Sequence, residues 1–437
     1  MRKIAIVGAG QSGMVLAFGL HELGYDVTVF EGRLPGQIER GPILSTAMVF
    51  DRQLEVERRY GLHAWEGQAP VCNGMHATLH LPNGQPVLSL VGGLDETCQG
   101  VDGRMKTAAW LRLWSERGGK VSYGNVDRGF LDELSREFDL LLVASGKGPL
   151  CGLFPRDEER CLFAAPARKL GALILKNVQE WSEIPYTPLK FHFFMEIGEY
   201  FTIPFYSHCG PCRGVLFEAV PGGPLDLWDN VESGDRALAT ALRIIREYTP
   251  EDYPNYVRAD LADERSWLKG ALTPAVRRPT ARLAGGGFAM ALGDALVLND
   301  PITGTGANDA VRMAVCFLDA IVERGQLPFS AAWAEEVFDR HYEERSRYTM
   351  QFTKIMTEPM TEPGWKVMQA AAASPGVAHT FVNVYTDIKE SLRWLTDMEA
   401  ADAVCARHAH ELSGVRLLSR GEARARFLSA GQEAAAA

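Results

Sequence analysis

Residues 3–31, KIAIVGAGQSGMVLAFGLHELGYDVTVFE, decide the fold. KIAIV is an uninterrupted apolar run of the kind a strand carries when both its faces are covered. Gly8-Ala9-Gly10-Gln11-Ser12-Gly13 follows as G-x-G-x-x-G, and the next dozen residues place apolar side chains at three- and four-residue spacing, predicting a helix. DVTVFE predicts a second strand ending in Glu31. In this setting the first glycine permits a tight turn, the second lets backbone approach a pyrophosphate, and the third allows close helix–strand packing. Gly8, Gly10, Ser12 and Gly13 are therefore candidate cofactor contacts, and Glu31 is placed to accept a hydrogen bond from a ribose hydroxyl. An acid there disfavours a 2′-phosphate, so FAD or NAD is expected rather than NADP.

A second glycine-rich stretch lies far downstream at residues 288–309, FAMALGDALVLNDPITGTGAND. It predicts an apolar strand over 288–292, then Gly293-Asp294, a loop with Pro301, Gly304 and Gly306, and a helix opening near Ala307 or Asn308. A carboxylate at the end of a strand, glycines, and a helix start with unpaired N–H groups together shape a crevice for an electron-rich ring or an anion. NAD needs only the first loop. Two such loops suit FAD: the first holds the pyrophosphate, Asp294 hydrogen-bonds the ribityl chain, and the helix after Gly306 stabilises negative charge on the reduced ring.

Between these stretches the pattern alternates. Helices are predicted over 51–60, 104–118 and 130–138, strands over 120–124 and 139–146, and a hairpin pairs 77–81 with 86–90. Alternation of this kind argues for a largely parallel sheet. Residues 166–274 differ: four aromatic-rich strand runs and one helix, 235–248, suggest an antiparallel sheet and a substrate wall, although alternation makes about half of those aromatics core. The fold class expected is α/β. A Rossmann-like FAD-binding domain (1–70, 99–165 and 275–325) carries an inserted, mainly antiparallel β-sheet substrate domain (71–98 and 166–274) and a helical C-terminal region (326–437) whose GQEAAAA end reads as disordered.

Composition narrows the function. With 437 residues, 46% apolar, 23% charged and a net charge of −10, the chain has no basic block for nucleic acid. No window holds the roughly 18 apolar residues of a membrane span, and the opening residues are too glycine-punctuated for a signal peptide, so a cytoplasmic location and no membrane partner are expected. Eight scattered cysteines read as free thiols. Cys209-Gly210-Pro211-Cys212 matches a redox string, but its strand-like flanks favour a Gly-Pro turn. His408 and His410 lack the spacing of metal ligands, and no metal is expected.

GDALVLNDPITGTGAND resembles the Gly-Asp/Pro/Gly-x-Gly-x-Asn fingerprint of flavoprotein monooxygenases with the p-hydroxybenzoate hydroxylase fold. Over most of residues 1–350 the chain further resembles the oxygenase component of two-component styrene and indole monooxygenases. Val101-Asp102-Gly103-Arg104, Ile43-Leu44-Ser45-Thr46, Ser145-Gly146-Lys147 and Asp300 to Asn308 carry that resemblance in order and spacing. It implies that FAD is used as FADH2, delivered by a separate NADH-dependent flavin reductase. A C4a-hydroperoxide formed with dioxygen then transfers oxygen to a small apolar aromatic substrate by epoxidation, hydroxylation or oxidation at nitrogen or sulfur. The resemblance implies that Arg104 lies by the FAD phosphates or flavin, with Pro301, Gly304, Gly306, Ala307 and Asn308 also at the cofactor. The chemistry falls to backbone around Pro301, Thr303 and Gly304 rather than to an acid or base. Ser45, Ala47, Val49 and Thr303 replace the family's usual residues where flavin and substrate meet, which places styrene and indole themselves in question. Alternatives at this point are a single-component NAD(P)H-dependent aromatic hydroxylase and a non-catalytic binding protein of the same fold; a homodimer stays open.

Overall fold

Strand Lys3–Val7 is buried from Ile4 onward and lies inside its sheet, with parallel neighbours Asp26–Glu31 and Leu140–Val143 on its two edges. The computed structural model describes residues 1–146 and 148–426; Lys147 and the GQEAAAA end lie outside the described residues. Within them the chain divides into two compact units, residues 1–66, 101–166 and 273–350 in one and 67–100, 167–272 and 351 onward in the other.

The first unit is built on a six-stranded sheet. Its order is Thr280–Arg282, Phe288–Ala291, Leu140–Val143, Lys3–Val7, Asp26–Glu31 and Lys120–Tyr123, parallel throughout except for the first pair. Helices Gln11–Glu22, Gly103–Glu116 and Gly306–Arg324 belong to the same unit. Gly19 lets two of them close: a Cβ there would stand 2.6 Å from Leu318 Cδ2. The helix expected near Ala307 begins at Gly306, and Pro301–Thr303 forms a short 3₁₀ turn before it. Asp300 caps that turn by accepting from Ile302 N at 3.1 Å, and Gly304 ends it at φ 61°, a conformation that favours glycine.

The second unit holds the larger sheet. Its strands run Asp260–Leu261, Lys169–Lys176, Gly210–Ala219, Gly198–Ser207, Pro188–Phe194, Val71–His80 and Pro86–Val101, with Trp267–Ala271 also on Lys169–Lys176. Antiparallel pairing dominates as expected, except that Val71–His80 runs parallel to Pro188–Phe194. That pair joins the early hairpin to the later run, so no tight turn dictates its direction. Helix Gly234–Tyr248 packs Ala237, Ala241, Ile244 and Ile245 onto a core that includes Trp228, Tyr200 and Phe217. Between Thr361 and Ala406 lie four short helices, each opened by a side chain of Thr361, Ser374, Asp387 or Asp397 that accepts from its first turn.

The Cys-Gly-Pro-Cys segment is a hairpin end, but not with the turn expected. Ser207 pairs with Gly210, so the two-residue turn is His208-Cys209, and Gly210 and Pro211 already belong to the strand. Gly210 takes the positive φ of 84° that lets the chain leave this turn. No helix among the described residues is long and apolar enough to cross a membrane.

Candidate cofactor site

The three loop glycines meet different constraints. Gly8 sits at φ 110°, and a Cβ there would lie 3.0 Å from the Ala144 carbonyl carbon. At Gly13 a Cβ would lie 2.3 Å from Gly8 O, so only glycine lets the helix start close on the strand. Gly10 is the opposite case: a Cβ there meets no protein atom within 4 Å, leaving its backbone open to a ligand. Helix Gln11–Glu22 has Gly10 as its N-cap, no side-chain cap and no acid in its first turn, so its first N–H groups and its dipole face outward unneutralised. The Glu31 carboxylate is already oriented toward the loop, accepting from Ala9 N at 3.1 Å and Arg33 N at 3.2 Å. A carboxylate has lone pairs beyond those two bonds.

The two glycine stretches, remote in sequence, come together. A Cβ on Gly293 would meet Ser12 Oγ at 2.3 Å, and one on Gly146 would meet Asp294 Cβ at 2.4 Å. Asp294 itself is exposed. Thr303 is fully buried, its hydroxyl 2.7 Å from that of Thr305. Asn308 has all of its amide engaged by protein: Oδ1 accepts from Phe50 N at 2.9 Å, while Nδ2 donates to Met48 O and Gly304 O, both at 3.0 Å. It therefore locks the glycine loop to residues 48–50. Of the other residues singled out from the sequence, Gly306 and Ala307 open the helix half-buried, Pro301 is half-buried, Ser45 is exposed, Ala47 is half-buried and Val49 is buried.

Arg104 lies in the interior, with its guanidinium only 2% exposed. Nε and Nη2 bond the Asp102 carboxylate, the latter at 2.6 Å, and Nη1 donates to Gly41 O at 3.1 Å. Asp102 also caps helix Gly103–Glu116, accepting from Arg104 N at 3.0 Å. A second buried cluster ties the first glycine loop to the same helix: Glu57 Oε1 accepts from Lys106 Nζ at 2.6 Å and from Gln11 Nε2 at 3.0 Å. Burial alone raises the Glu57 pKa, but Lys106 and His63 outweigh it and hold the carboxyl below its ordinary value. The sequence signal for this pair is a lysine and a glutamate on the apolar faces of their helices.

Beneath the second loop Asp309 and His341 form an ionic contact of 3.5 Å rather than an aligned hydrogen bond, and Ser346 Oγ donates to Asp309 at 3.3 Å. Burial opposes charge on His341, yet Asp309 and Cys316 raise its pKa to about 9. A raised histidine pKa stabilises the fold below the unfolded value, about 6.5, and that stabilisation disappears as pH climbs through the folded value. Stability should therefore fall by up to about 3 kcal/mol between pH 6.5 and 9. Urea unfolding of the protein and of His341→Gln checks this; equal slopes with pH in the two proteins would remove the ion pair from the account.

These residues fit FAD: an open glycine at an uncapped helix, an oriented carboxylate after the second strand, and an exposed strand-end aspartate on an adjoining glycine loop. Together with the relatives described next, these residues make the chain an FAD-dependent monooxygenase. Residues 146–254 match the family profile described as "Styrene monooxygenase A putative substrate binding domain". The chain is 26% identical over 402 residues to styrene monooxygenase StyA of Pseudomonas fluorescens, covering 91% of this chain and 92% of that one. To StyA of a Pseudomonas species it is 29% identical over 316 residues, covering 71% and 74%. Among solved structures the flavin-dependent brominase Bmp2 shares the fold, with a TM-score of 0.60 at 16% identity over 92% of this chain and 98% of that one. Within its class, then, the chain is styrene monooxygenase-like over most of its length.

Proposed function

We propose that the protein takes reduced FAD from a separate NADH-dependent flavin reductase and uses dioxygen to insert one oxygen atom into a small apolar aromatic or heteroaromatic molecule. The observation that carries this reading is the meeting of the two glycine stretches, Ser12 against Gly293 and Gly146 against Asp294, within one unit. When bound, reduced FAD supplies the activation of oxygen. The protein supplies position and dryness. Gly8, Gly10, Ser12, Gly13 and the helix start hold the pyrophosphate, Glu31 holds the adenosine ribose, and Asp294 holds the ribityl chain. The N–H groups at Gly306 and Ala307 favour negative charge on the ring, and the Pro301–Thr303 turn, with Ile302 and Thr303 buried, excludes water from its reacting edge. Asn308 and Arg104 brace the segments that carry these groups.

An apolar substrate is supported by the matched domain, where Phe191 stacks on Phe193 at 4.1 Å and on Phe201 at 4.9 Å. Thr303 and Ser45 are the positions we assign to selectivity among such molecules. The test is to supply chemically reduced FAD anaerobically, admit air with a panel of aromatic substrates, and read products by mass. An oxygenated product that survives catalase supports the proposal. Loss of product with catalase would assign the oxidation to free peroxide, and rapid bleaching of FAD by NADH alone would replace the two-component reading with a single-component one. Asp294→Ala should weaken FAD binding about tenfold, the effect of one hydrogen bond of about 1.4 kcal/mol, by equilibrium titration. An unchanged affinity would remove Asp294 from the ribityl contact.

A further inference from the structure

The eight cysteines include two facing pairs, and the structure treats them differently. Cys72 and Cys98 stand directly opposite each other on Val71–His80 and Pro86–Val101, and both are fully buried. Cys209 and Cys212 lie at the end of the hairpin formed by Gly198–Ser207 and Gly210–Ala219, with Cys209 in the exposed turn and Cys212 half-buried two residues beyond Gly210. Gly210, at φ 84°, turns the chain between the two strands, and Cys212 follows Cys209 by three residues in the C-x-x-C spacing at the same hairpin end. The remaining four are dispersed, with Cys151 and Cys405 buried and Cys161 and Cys316 half-buried. We propose that Cys209 and Cys212 form a peroxide-oxidisable dithiol at the hairpin end, a modification site separate from the cofactor loops.

Three conditions are needed for such a site: a thiolate, access, and a resolving thiol. The hydrogen bond from Cys212, with Lys176 nearby, brings the Cys209 pKa down to about 7, whereas burial pushes the thiols of Cys151 and Cys405 up. Cys209 is the exposed cysteine of the eight, so peroxide reaches it without unfolding. Cys212 is three residues away at the same hairpin end, so the second step needs movement only at the tip of the hairpin.

The chemistry balances with hydrogen peroxide as the one oxidant. The Cys209 thiolate attacks one peroxide oxygen, the O–O bond breaks, and the departing hydroxide takes a proton to leave as water. Cys209 is then a sulfenic acid. Cys212 sulfur attacks Cys209 sulfur, the S–O bond breaks, and a second water leaves as the S–S bond forms. Two thiols and one peroxide give one disulfide and two waters, the thiols losing two electrons and the peroxide gaining them. A flavin monooxygenase that loses peroxide during turnover provides this oxidant in its own vicinity. That source rests on the function proposed above, but the reactivity of the dithiol does not.

The experiment uses the full-length protein without FAD, treated with hydrogen peroxide, alkylated under native conditions, and mapped by peptide mass without reduction. The expected result is a peptide lighter by two hydrogens joining Cys209 to Cys212, with loss of alkylation at both. Cys72 and Cys98 stay reduced and take label only after denaturation. Cys212→Ser is expected to stop the reaction at the sulfenic acid of Cys209, captured by dimedone, and Cys209→Ser to leave Cys212 reduced. Full alkylation of Cys209 and Cys212 after peroxide would overturn the proposal, as would a disulfide at Cys72 and Cys98 with the hairpin pair untouched. Because no flavin is present, either result leaves the monooxygenase reading to its own test.

Discussion

Replacing Arg104 by alanine is expected to lower stability by about 3–5 kcal/mol, the range for removing one partner of a buried ion pair. The substitution strips Asp102, a carboxylate with 1% side-chain exposure, of its guanidinium partner, and releases Gly41 O from its donor. Charge alone does not restore the site: Arg104→Lys keeps a cation but loses the forked contact through Nε and Nη2, so it should recover less than half of the loss. Removing both partners, Asp102→Ala with Arg104→Ala, should cost less than the sum of the two single changes, because neither charge is then left alone. Urea unfolding of the parent, the three single variants and the double variant measures all of this. A loss under about 1 kcal/mol in Arg104→Ala, with a large fall in FAD affinity, would instead assign the guanidinium to the cofactor itself.

The Arg104 case illustrates what sequence patterns carry and what they do not. The glycine spacing of residues 8–13, the terminal acid at 31 and the 288–309 run are local, and each is held by backbone sterics that a reader can reconstruct from residue types. Strand and helix alternation follows from side-chain periodicity and is likewise local. Asp102, two residues from Arg104, is local too, but the Gly41 contact of Arg104 and the partners of Lys106 and His341 are not, since Gly41, Glu57 and Asp309 come into reach only through packing. The same holds in the second unit. His80 Nδ1 donates to Gly84 O at 2.9 Å, so the neutral ring accepts a hydrogen bond at Nε2 from His192 Nδ1 at 3.0 Å, while Asp252 gathers Lys190 and Trp181. Alternation places Lys190 and His192 on one face of their strand, but it does not reveal that this face is buried against an aspartate from another element. His80 is driven down to about 4, first by burial and then by His192, with Gly84 O and Asp252 opposing.

The turn of the Cys-Gly-Pro-Cys hairpin makes a related point at a finer scale. Glycine and proline mark a turn in a sequence, yet the register places both inside the strand and the turn one step earlier. What decides it is the pairing of ten residues along each strand, which sets where the ladder closes, rather than the turn propensity of two. That shift exposes Cys209 at the tip and keeps Cys212 within its reach.

The glycine loop supports the sharpest separation between folding and cofactor binding. Gly13→Ala is expected to disrupt both, because its Cβ would stand 2.3 Å from Gly8 O, a backbone atom that moves only if the loop itself moves. Displacement of that kind is among the costly classes of point change, at about 2–4 kcal/mol, and it also opens the cradle for the pyrophosphate. Gly10→Ala is expected to leave folding within about 0.5 kcal/mol of the parent, since its Cβ meets no protein atom within 4 Å and its backbone lies at φ −69°, which alanine adopts freely. Its methyl group would instead occupy the space through which a pyrophosphate approaches the helix start, and FAD affinity should fall at least tenfold, about 1.4 kcal/mol. Thermal unfolding without FAD, set beside FAD titration for each variant, separates the two effects. If Gly10→Ala bound FAD as tightly as the parent, the phosphates would have to pass elsewhere, and the case for a single extended cofactor running from Glu31 to Asp294 would fail with it.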